Sequence, residues 1–319
     1  MAVLNPPGAL PGLARAIADY LVTKPSHSES TELIRSLFAP ATHADPMPDD
    51  RQPGSKNLDD TLAVGRGIGL FLRKDGIELA PIAVEAAGGA QFTRTRFRAL
   101  LRRLLLDPAR DGDPWDVDDG EGSTTGARDF ARATTWLLAH DALGPPLSWT
   151  GPPESSVEEL QRRRPPTVLE PVGNGTRWGA LRRWAPYAGL ARVTTVGPAG
   201  VAHLYPDPTE AIREEFPSLL NRELQPVKPL LERLSRALPV IAGGVYREAL
   251  DRRLDTPIDP SVRQMALDTS VAQALMSLDE EELIVLGHMS DAEGVVTIID
   301  ESGGTRLVTH IGLRSEAKR

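Results

Sequence analysis

The sequence predicts a mainly α-helical protein with small β-hairpins, of the α+β class, built from multiple winged helix-turn-helix units. Two observations support this prediction. Apolar residues recur at helical spacing, and three glycine-bearing turns stand between short apolar runs, at Asp75-Gly76, from Gly197 to Gly200 and from Asp291 to Gly294. Helices followed by a two-stranded hairpin have the element order of a winged helix, in which the last helix contacts DNA and the hairpin is the wing.

Residues 1–81 are predicted to form the first winged-helix unit. Apolar spacing predicts helices at 10–22 and 30–38, each of which ends before a proline. Asn57 is predicted to cap a third helix, because Asp60 three residues later gives a start like a capping box. The residues on either side of Asp75-Gly76 are predicted to be the two strands of the wing.

Residues 82–170 are predicted to be a helical segment with an acidic loop and a proline-rich linker. An apolar stripe from Phe97 to Leu104 predicts a helix within residues 91–106. Seven acidic residues stand among prolines and glycines in residues 107–126, which predicts a solvated loop. The proline-rich stretch from Gly144 to Pro171 is predicted to be the main linker.

Two further winged-helix units are predicted at residues 171–222 and 223–319. The first of these has a helix around Trp178 and a hairpin turn at Gly197, and residues 127–143 are candidates for additional helices of the same unit. The last unit has a helix that begins at Asp268 or Thr269. Residues 283–289 and 295–299 are expected to pair as its wing.

The composition excludes several classes of function. The 319 residues include no cysteine, so disulfides, thiolate nucleophiles, cysteine-ligated zinc and iron–sulfur clusters are absent. The six histidines are scattered, and no phosphate-binding loop or nucleophile elbow occurs. We therefore expect no enzyme, no metal and no cofactor. The lack of a long apolar run and of a secretory signal predicts a cytoplasmic protein with no membrane partner.

Double-stranded DNA is the expected nucleic-acid partner, although the net charge of the chain is −8. Residues 171–206 contain no acidic residue, which gives this segment the strongest phosphate-binding signal in the chain. Its candidate DNA contacts are Arg177, Arg182, Arg183 and Arg192. The tryptophans are expected in the core rather than as base-stacking platforms.

The first unit has a weaker signal. Its candidate contacts Lys56, Arg66, Arg73 and Lys74 stand among four acidic residues. The two cations at the wing tip suit contact with phosphates or with the minor groove, and a solvated hairpin tip is an equal alternative.

A third set of candidates repeats every four residues, at Arg94, Arg98 and Arg102, so these arginines share one helix face. Nucleic acid is the slightly favoured partner for this face. The alternatives are docking on the acidic loop that follows it and docking on the acidic third unit.

The third unit has the opposite charge. No lysine or arginine occurs between Arg263 and Arg306, and its predicted recognition helix ends in four acidic residues, from Asp279 to Glu282. Because carboxylates repel phosphates, we expect this unit to bind protein, either in a homodimer or in another subunit of a complex.

Short motifs spread over most of the chain resemble those of the DpdG proteins. They are Leu4-Asn5, Leu10-Pro11, Ala127 to Phe130, Thr135 to Asp141, Arg177-Trp178, Trp184 to Leu190, Pro206 to Thr209, Leu238 to Arg247 and Ser290-Asp291. The resemblance implies a bacterial island that inserts 7-deazaguanine bases into DNA and restricts unmodified DNA. It implies an accessory role on the restriction side, beside helicases, ATPases and a phospholipase-D-like nuclease, and it carries no catalytic residues.

We therefore expect a non-catalytic DNA-binding or adaptor subunit of an anti-phage modification and restriction system. The alternative is a protein-interaction scaffold of tandem winged helices without direct DNA binding, as in the accessory subunits of SMC complexes.

Overall fold

The computed structural model describes residues 2–39, 53–74, 76–116, 127–148, 157, 171–196 and 201–314. Contacts within the chain divide it into two compact units. The first unit comprises Met1–Phe130 and Val172–Ala188, and the second comprises Ala131–Pro171 and Gly189–Arg319. The four segments predicted from the sequence stay a prediction.

The first unit is mostly helical. Its helices are α1 Pro11–Val22, α2 Thr31–Phe38, α3 Pro53–Gly67, α4 Pro81–Ala87, α5 Arg94–Leu105, α6 Pro108–Asp111, the first turn of α7 Arg128–Leu138, and α8 Gly175–Tyr187. Side chains cap several of them, as Ser30 does by accepting a hydrogen bond from the backbone N–H of Leu33. The predicted cap at Asn57 is wrong, because α3 begins four residues earlier at Pro53, and Asn57 lies inside the helix.

A three-stranded antiparallel sheet completes this unit. The predicted hairpin is present as β2 Phe71–Lys74 and β3 Gly76–Leu79. The short strand β1 Ser28–Glu29 adds to β3, so the order is β1-β3-β2. Gly76 is required where β1 and β3 meet, because a Cβ there would lie 2.3 Å from the carbonyl oxygen of Glu29.

The described part of the second unit contains the rest of α7 and five further helices. They are α9 Thr209–Leu219, α10 Val227–Ala237, α11 Val245–Asp251, α12 Pro260–Arg263 and α13 Thr269–Glu280. The predicted hairpin around residues 197–200 forms from β4 Ala191–Val196 and β5 Val201–Pro206. An isolated antiparallel bridge joins Leu147 to Leu204, on the other side of β5.

The last sheet differs from the prediction. Its strands are β6 Gln225–Pro226, β7 Ile284–Gly287 and β10 His310–Leu313, in the order β6-β10-β7. The strand predicted to pair with β7 is β8 Val296–Ile299, which instead pairs with β9 Thr305–Val308 in a separate hairpin. The hairpin β8–β9 is therefore inserted between the two long strands of the third sheet.

Helices combined with small antiparallel sheets confirm the α+β class. Four tryptophans, Trp115, Trp136, Trp178 and Trp184, are buried as expected. No helix in the described part of the chain is both long and apolar enough to cross a bilayer.

Candidate nucleic-acid interface

Helix α8 positions three of the candidate arginines. Asn174 begins the helix by accepting a hydrogen bond from the backbone N–H of Arg177. Trp178, Leu181 and Trp184 are buried and fix one side of the helix in the core of the first unit. The arginines Arg177, Arg182 and Arg183 stand between this apolar side and solvent, and all three are half-buried.

These three arginines differ in their partners. Arg182 makes no hydrogen bond or ion pair with any residue that the structure describes, and Arg177 makes none through its side chain. Arg183 donates a hydrogen bond to the carbonyl oxygen of Pro7. Burial lowers the pKa of Arg183, and the neighbouring charge of Arg182 lowers it further. Burial raises the pKa of the nearby carboxyl group of Asp129 and the charge of Arg177 lowers it, so Arg182 is the guanidinium of α8 with the fewest contacts to the described residues.

Arg192 lies on strand β4 and is largely exposed. Its side chain is 68% accessible, its Nε lies 3.4 Å from a carboxylate oxygen of Asp207, and its guanidinium lies 5.7 Å from the ring centre of Tyr205. An exposed ion pair of this kind is weak and is exchanged readily for a phosphate contact. The next three residues of β4 are also exposed.

The candidate contacts Lys56, Arg66, Arg73 and Lys74 are divided between helix α3 and strand β2. Lys56 is exposed and Arg66 is half-buried on α3. Asp59 on the same helix pairs with Arg35 at 2.8 Å. The side chains of Arg73 and Lys74 lie outside the described part of the structure. Helix α3 thus carries mixed charge, as its sequence indicates.

The arginine face of α5 is not an exposed basic surface, which corrects the interpretation of its spacing. Arg94 is exposed, but Arg98 and Arg102 are only 5% and 3% accessible. Arg102 donates a hydrogen bond of 3.1 Å to the carbonyl oxygen of Ala188, at the end of α8. The physical reason is that α5 is buried on more than its apolar face. Its leucines and Phe97 are buried, and Arg98 and Arg102 are enclosed by protein as well.

Other arginines make the same type of contact with helix ends. Arg96 donates to Ala87 at the end of α4, and Arg233 donates to Leu219 at the end of α9. Arg110 donates to the carbonyl oxygens of Ile68 and Leu104, which follow α3 and end α5. A cation at a helix C-terminus satisfies free carbonyl groups and offsets the negative end of the helix dipole. Much of the arginine content therefore serves the fold.

The acidic residues after α13 are largely paired. Asp279 contacts Arg306 at 2.8 Å, Glu281 contacts Arg213 at 2.8 Å, and Glu282 contacts Arg314 at 2.8 Å. The arginines come from three separate parts of the second unit, so this segment carries less free negative charge than its sequence indicates.

Helix α13 itself is covered. Seven of its residues are buried, from Thr269 to Leu278. The inserted hairpin β8–β9 packs on the helix, and Gln273 donates to the carbonyl oxygen of Ile299 at 3.3 Å. Little of α13 is left to enter a DNA groove.

Sequence reasoning missed a segment at the start of the chain. Val3, Leu4 and Ala9 are fully buried. The backbone of this segment is hydrogen-bonded to side chains on α3, α7 and α8. The buried carboxylate of Asp129 accepts hydrogen bonds from the backbone N–H groups of Val3 and Leu4. Burial raises the pKa of Asp129, and these donors oppose the rise.

The described residues contain no group of three or more histidine, aspartate or glutamate side chains arranged to hold a metal ion. The arrangement is an α+β scaffold in which several arginines bind carbonyl groups at helix ends and a few basic side chains on α8, β4 and α3 are half-buried or exposed.

The chain belongs to the DpdG-like family, whose model matches residues 1–292. This confirms the resemblance of the motifs and indicates involvement in the 7-deazaguanine modification system. Neither the curated proteins nor the solved structures include a significant match to the chain.

Proposed function

We propose that this chain is a non-catalytic DNA-binding or adaptor subunit of a bacterial anti-phage system for DNA modification and restriction, acting in the cytoplasm. The observation that carries the proposal is how few hydrogen bonds and ion pairs the arginines on α8 make. Arg177 and Arg182 make no side-chain hydrogen bond or ion pair within the described residues, whereas arginines on neighbouring elements are bound to helix ends. Both side chains are half-buried, and a guanidinium group without a hydrogen-bonded protein partner favours contact with a phosphate oxygen.

The order of the elements supports a winged-helix interpretation. In the first unit, α1, β1, α2, α3, β2 and β3 follow one another, with the sheet order β1-β3-β2. The same order recurs as α9, β6, α10, α13, β7 and β10, with the sheet order β6-β10-β7. In this comparison, α11 and α12 are inserted before α13, and the hairpin β8–β9 is inserted in the wing.

Part of this order recurs in the described residues between the other two copies. Helix α7 is followed by Leu147, then by α8, β4 and β5, and the bridge from Leu147 to Leu204 gives the sheet order Leu147-β5-β4. Under this interpretation α3, α8 and α13 are the three recognition helices. The residues of α8 supply the best DNA contacts.

A salt titration of binding to duplex DNA tests the proposal. The slope of log K against log salt is about −0.9 per neutralised phosphate, so losing two contacts reduces it by roughly 1.8. We expect this change when Arg177 and Arg182 are both replaced by glutamate. Arg222→Glu is the matched control, because Arg222 is exposed in the second unit and has no ion pair among the described residues. No binding by the unmodified protein at low salt, or equal slopes for all variants, would contradict the proposal.

The alternative is a protein-interaction scaffold, and the third copy is its candidate because the covered helix α13 leaves little surface to enter a DNA groove. In this case, the third copy binds another subunit or a second copy of the chain. Light scattering and pull-down with the neighbouring gene products test this role. A strict monomer that retains none of these products would contradict it.

A further inference from the structure

The segment Val3–Leu10, called the strap below, lies between two of the proposed recognition helices. Its first part is anchored by Asp129, whose carboxylate accepts from the N–H of Val3 at 3.0 Å and of Leu4 at 2.7 Å. The same carboxylate accepts from the N–H of Phe130 at 2.8 Å. Two of these three donors belong to the strap, so the carboxylate of Asp129 ties the start of the strap to the first turn of α7.

The second part of the strap contacts α3. The N–H of Gly8 donates to a carboxylate oxygen of Asp60 at 2.9 Å, and the N–H of Leu10 donates to the hydroxyl of Thr61 at 3.0 Å. Gly8 allows the close approach, since a Cβ there would lie 2.6 Å from Oδ1 of Asn57 and 2.7 Å from Oδ2 of Asp60. A side chain at this position would displace the carboxylate that holds the strap.

The same few residues contact α8. The indole N–H of Trp184 donates to the carbonyl oxygen of Ala9 at 3.2 Å, and the guanidinium of Arg183 donates to that of Pro7. Donors to α3 and acceptors from α8 alternate along residues 7–10. The strap, α3 and α8 all belong to the first compact unit.

We propose that the strap sets the spacing of α3 and α8, so that the basic side chains of both helices act on one DNA duplex as a single surface. Gly8, Asp129 and Trp184 are the positioning residues, and they need not touch DNA. This inference rests on the proposed function for its ligand. The coupling of the two helices through the strap is a property of the protein alone, and it is measurable without DNA.

The test compares Gly8→Ala with Gly12→Ala. Gly12 is exposed on α1, and a Cβ there meets nothing within 4 Å, so this control makes the same chemical change without a clash. Hydrogen exchange in the full chain is expected to show that Gly8→Ala lowers amide protection in both α3 and α8 and leaves α13 unchanged. Protection lost in only one of the two helices, or in neither, overturns the strap.

Duplex binding gives the second measurement. Gly8→Ala changes no charge, so its affinity is expected to fall several-fold at every salt concentration while its salt slope stays that of the unmodified protein. Unchanged affinity despite altered exchange overturns the positioning role. If the unmodified protein fails to bind duplex DNA, the proposed function fails, and exchange alone decides the strap.

Trp184→Phe keeps Gly8 intact in case Gly8→Ala does not fold. It removes the hydrogen bond to Ala9 and retains an aromatic ring in the core. The same pattern of exchange in α3 and α8 is expected, and unchanged protection in α3 overturns the strap.

Discussion

Arg102 donates a hydrogen bond to the carbonyl oxygen of Ala188, and this contact joins the middle of the chain to the end of the proposed DNA-contacting helix. The guanidinium is almost fully buried. It therefore acts on the geometry of α8 rather than on a ligand.

Replacing Arg102 by methionine keeps most of the side-chain volume and removes the donor. The orphaned carbonyl group and the lost cation at the helix end are expected to lower the free energy of unfolding by about 1–3 kcal/mol. Urea unfolding measures this loss. Arg103→Met is the control, because Arg103 is exposed on the same helix. Equal stability of the two variants would show that the contact of Arg102 is unimportant.

A buried ion pair in the second unit gives a larger expected effect. Arg247 and Asp268 are 2% and 0% accessible, and their charged groups lie 2.6 Å apart. Removing one member leaves the other charge buried, so Arg247→Met is expected to cost about 3–5 kcal/mol.

A double-mutant cycle with Asp268→Asn measures how much of that cost comes from the pair. The double variant is expected to recover part of the loss, since no uncompensated charge remains. Arg252→Met controls for the exposed side of the same segment, where the side chain of Arg252 is 65% accessible. Strictly additive effects of the two single variants would contradict an interaction between Arg247 and Asp268.

The variant Gly76→Ala tests the close approach of β1 and β3 in the first sheet. An alanine there would place its Cβ against the carbonyl oxygen of Glu29, so β1 must move away from β3. Overpacking of this kind typically costs about 1–3 kcal/mol. We expect Gly76→Ala to lose that stability and to weaken the backbone pairing of Ser28 with Glu78, which amide exchange follows. Full retention of this pairing would rule out the close approach.

The inserted hairpin is expected to respond to acid. The pKa of Asp300 lies below its ordinary value, because its carboxylate accepts hydrogen bonds from the hydroxyl of Ser302 and from the backbone N–H groups of Gly304 and Ser302. A carboxyl group with a lowered pKa stabilises the fold above its unfolded pKa, and this contribution is lost as the pH falls through the folded value.

We therefore expect the turn between β8 and β9 to loosen below the ordinary aspartate pKa of about 3.9. Amide chemical shifts of Ser302 and Gly304 measured against pH report this change. Asp300→Asn removes the titrating group and is expected to remove that pH dependence. The same titration in both proteins would assign it to another carboxyl group.

Local signals predicted much of the fold. The pairing of β2 with β3 and the helix that begins at Gly175 depend on residues close in sequence, and both are present. The predicted partner of β7 was wrong. Its actual partner is β10, which begins more than twenty residues after β7 ends, beyond an inserted hairpin. Spacing within the sequence favours neighbouring strands and does not reveal such an insertion.

The candidate site was predicted less completely, for a related reason. Four-residue spacing places Arg94, Arg98 and Arg102 on one helix face, but it does not show what covers that face. The acceptor for Arg102 lies 86 residues away in sequence, so only the tertiary structure reveals it. The segment of Arg177 and Arg182 is free of acidic residues only along the sequence, since the fold brings the carboxylate of Asp129 near Arg177, and contact of these arginines with DNA stays a prediction.

The anchoring of Val3 and Leu4 has a consequence for the newly made chain. Leu4 meets Asp129 across 125 residues, and Ala9 meets Trp184 across 175 residues. At a synthesis rate of about 5–20 residues per second, the start of the chain waits roughly 9–35 s for its last partner. During that interval its apolar side chains have left the ribosome without their native neighbours. The first unit therefore closes only after the chain has been made beyond residue 184.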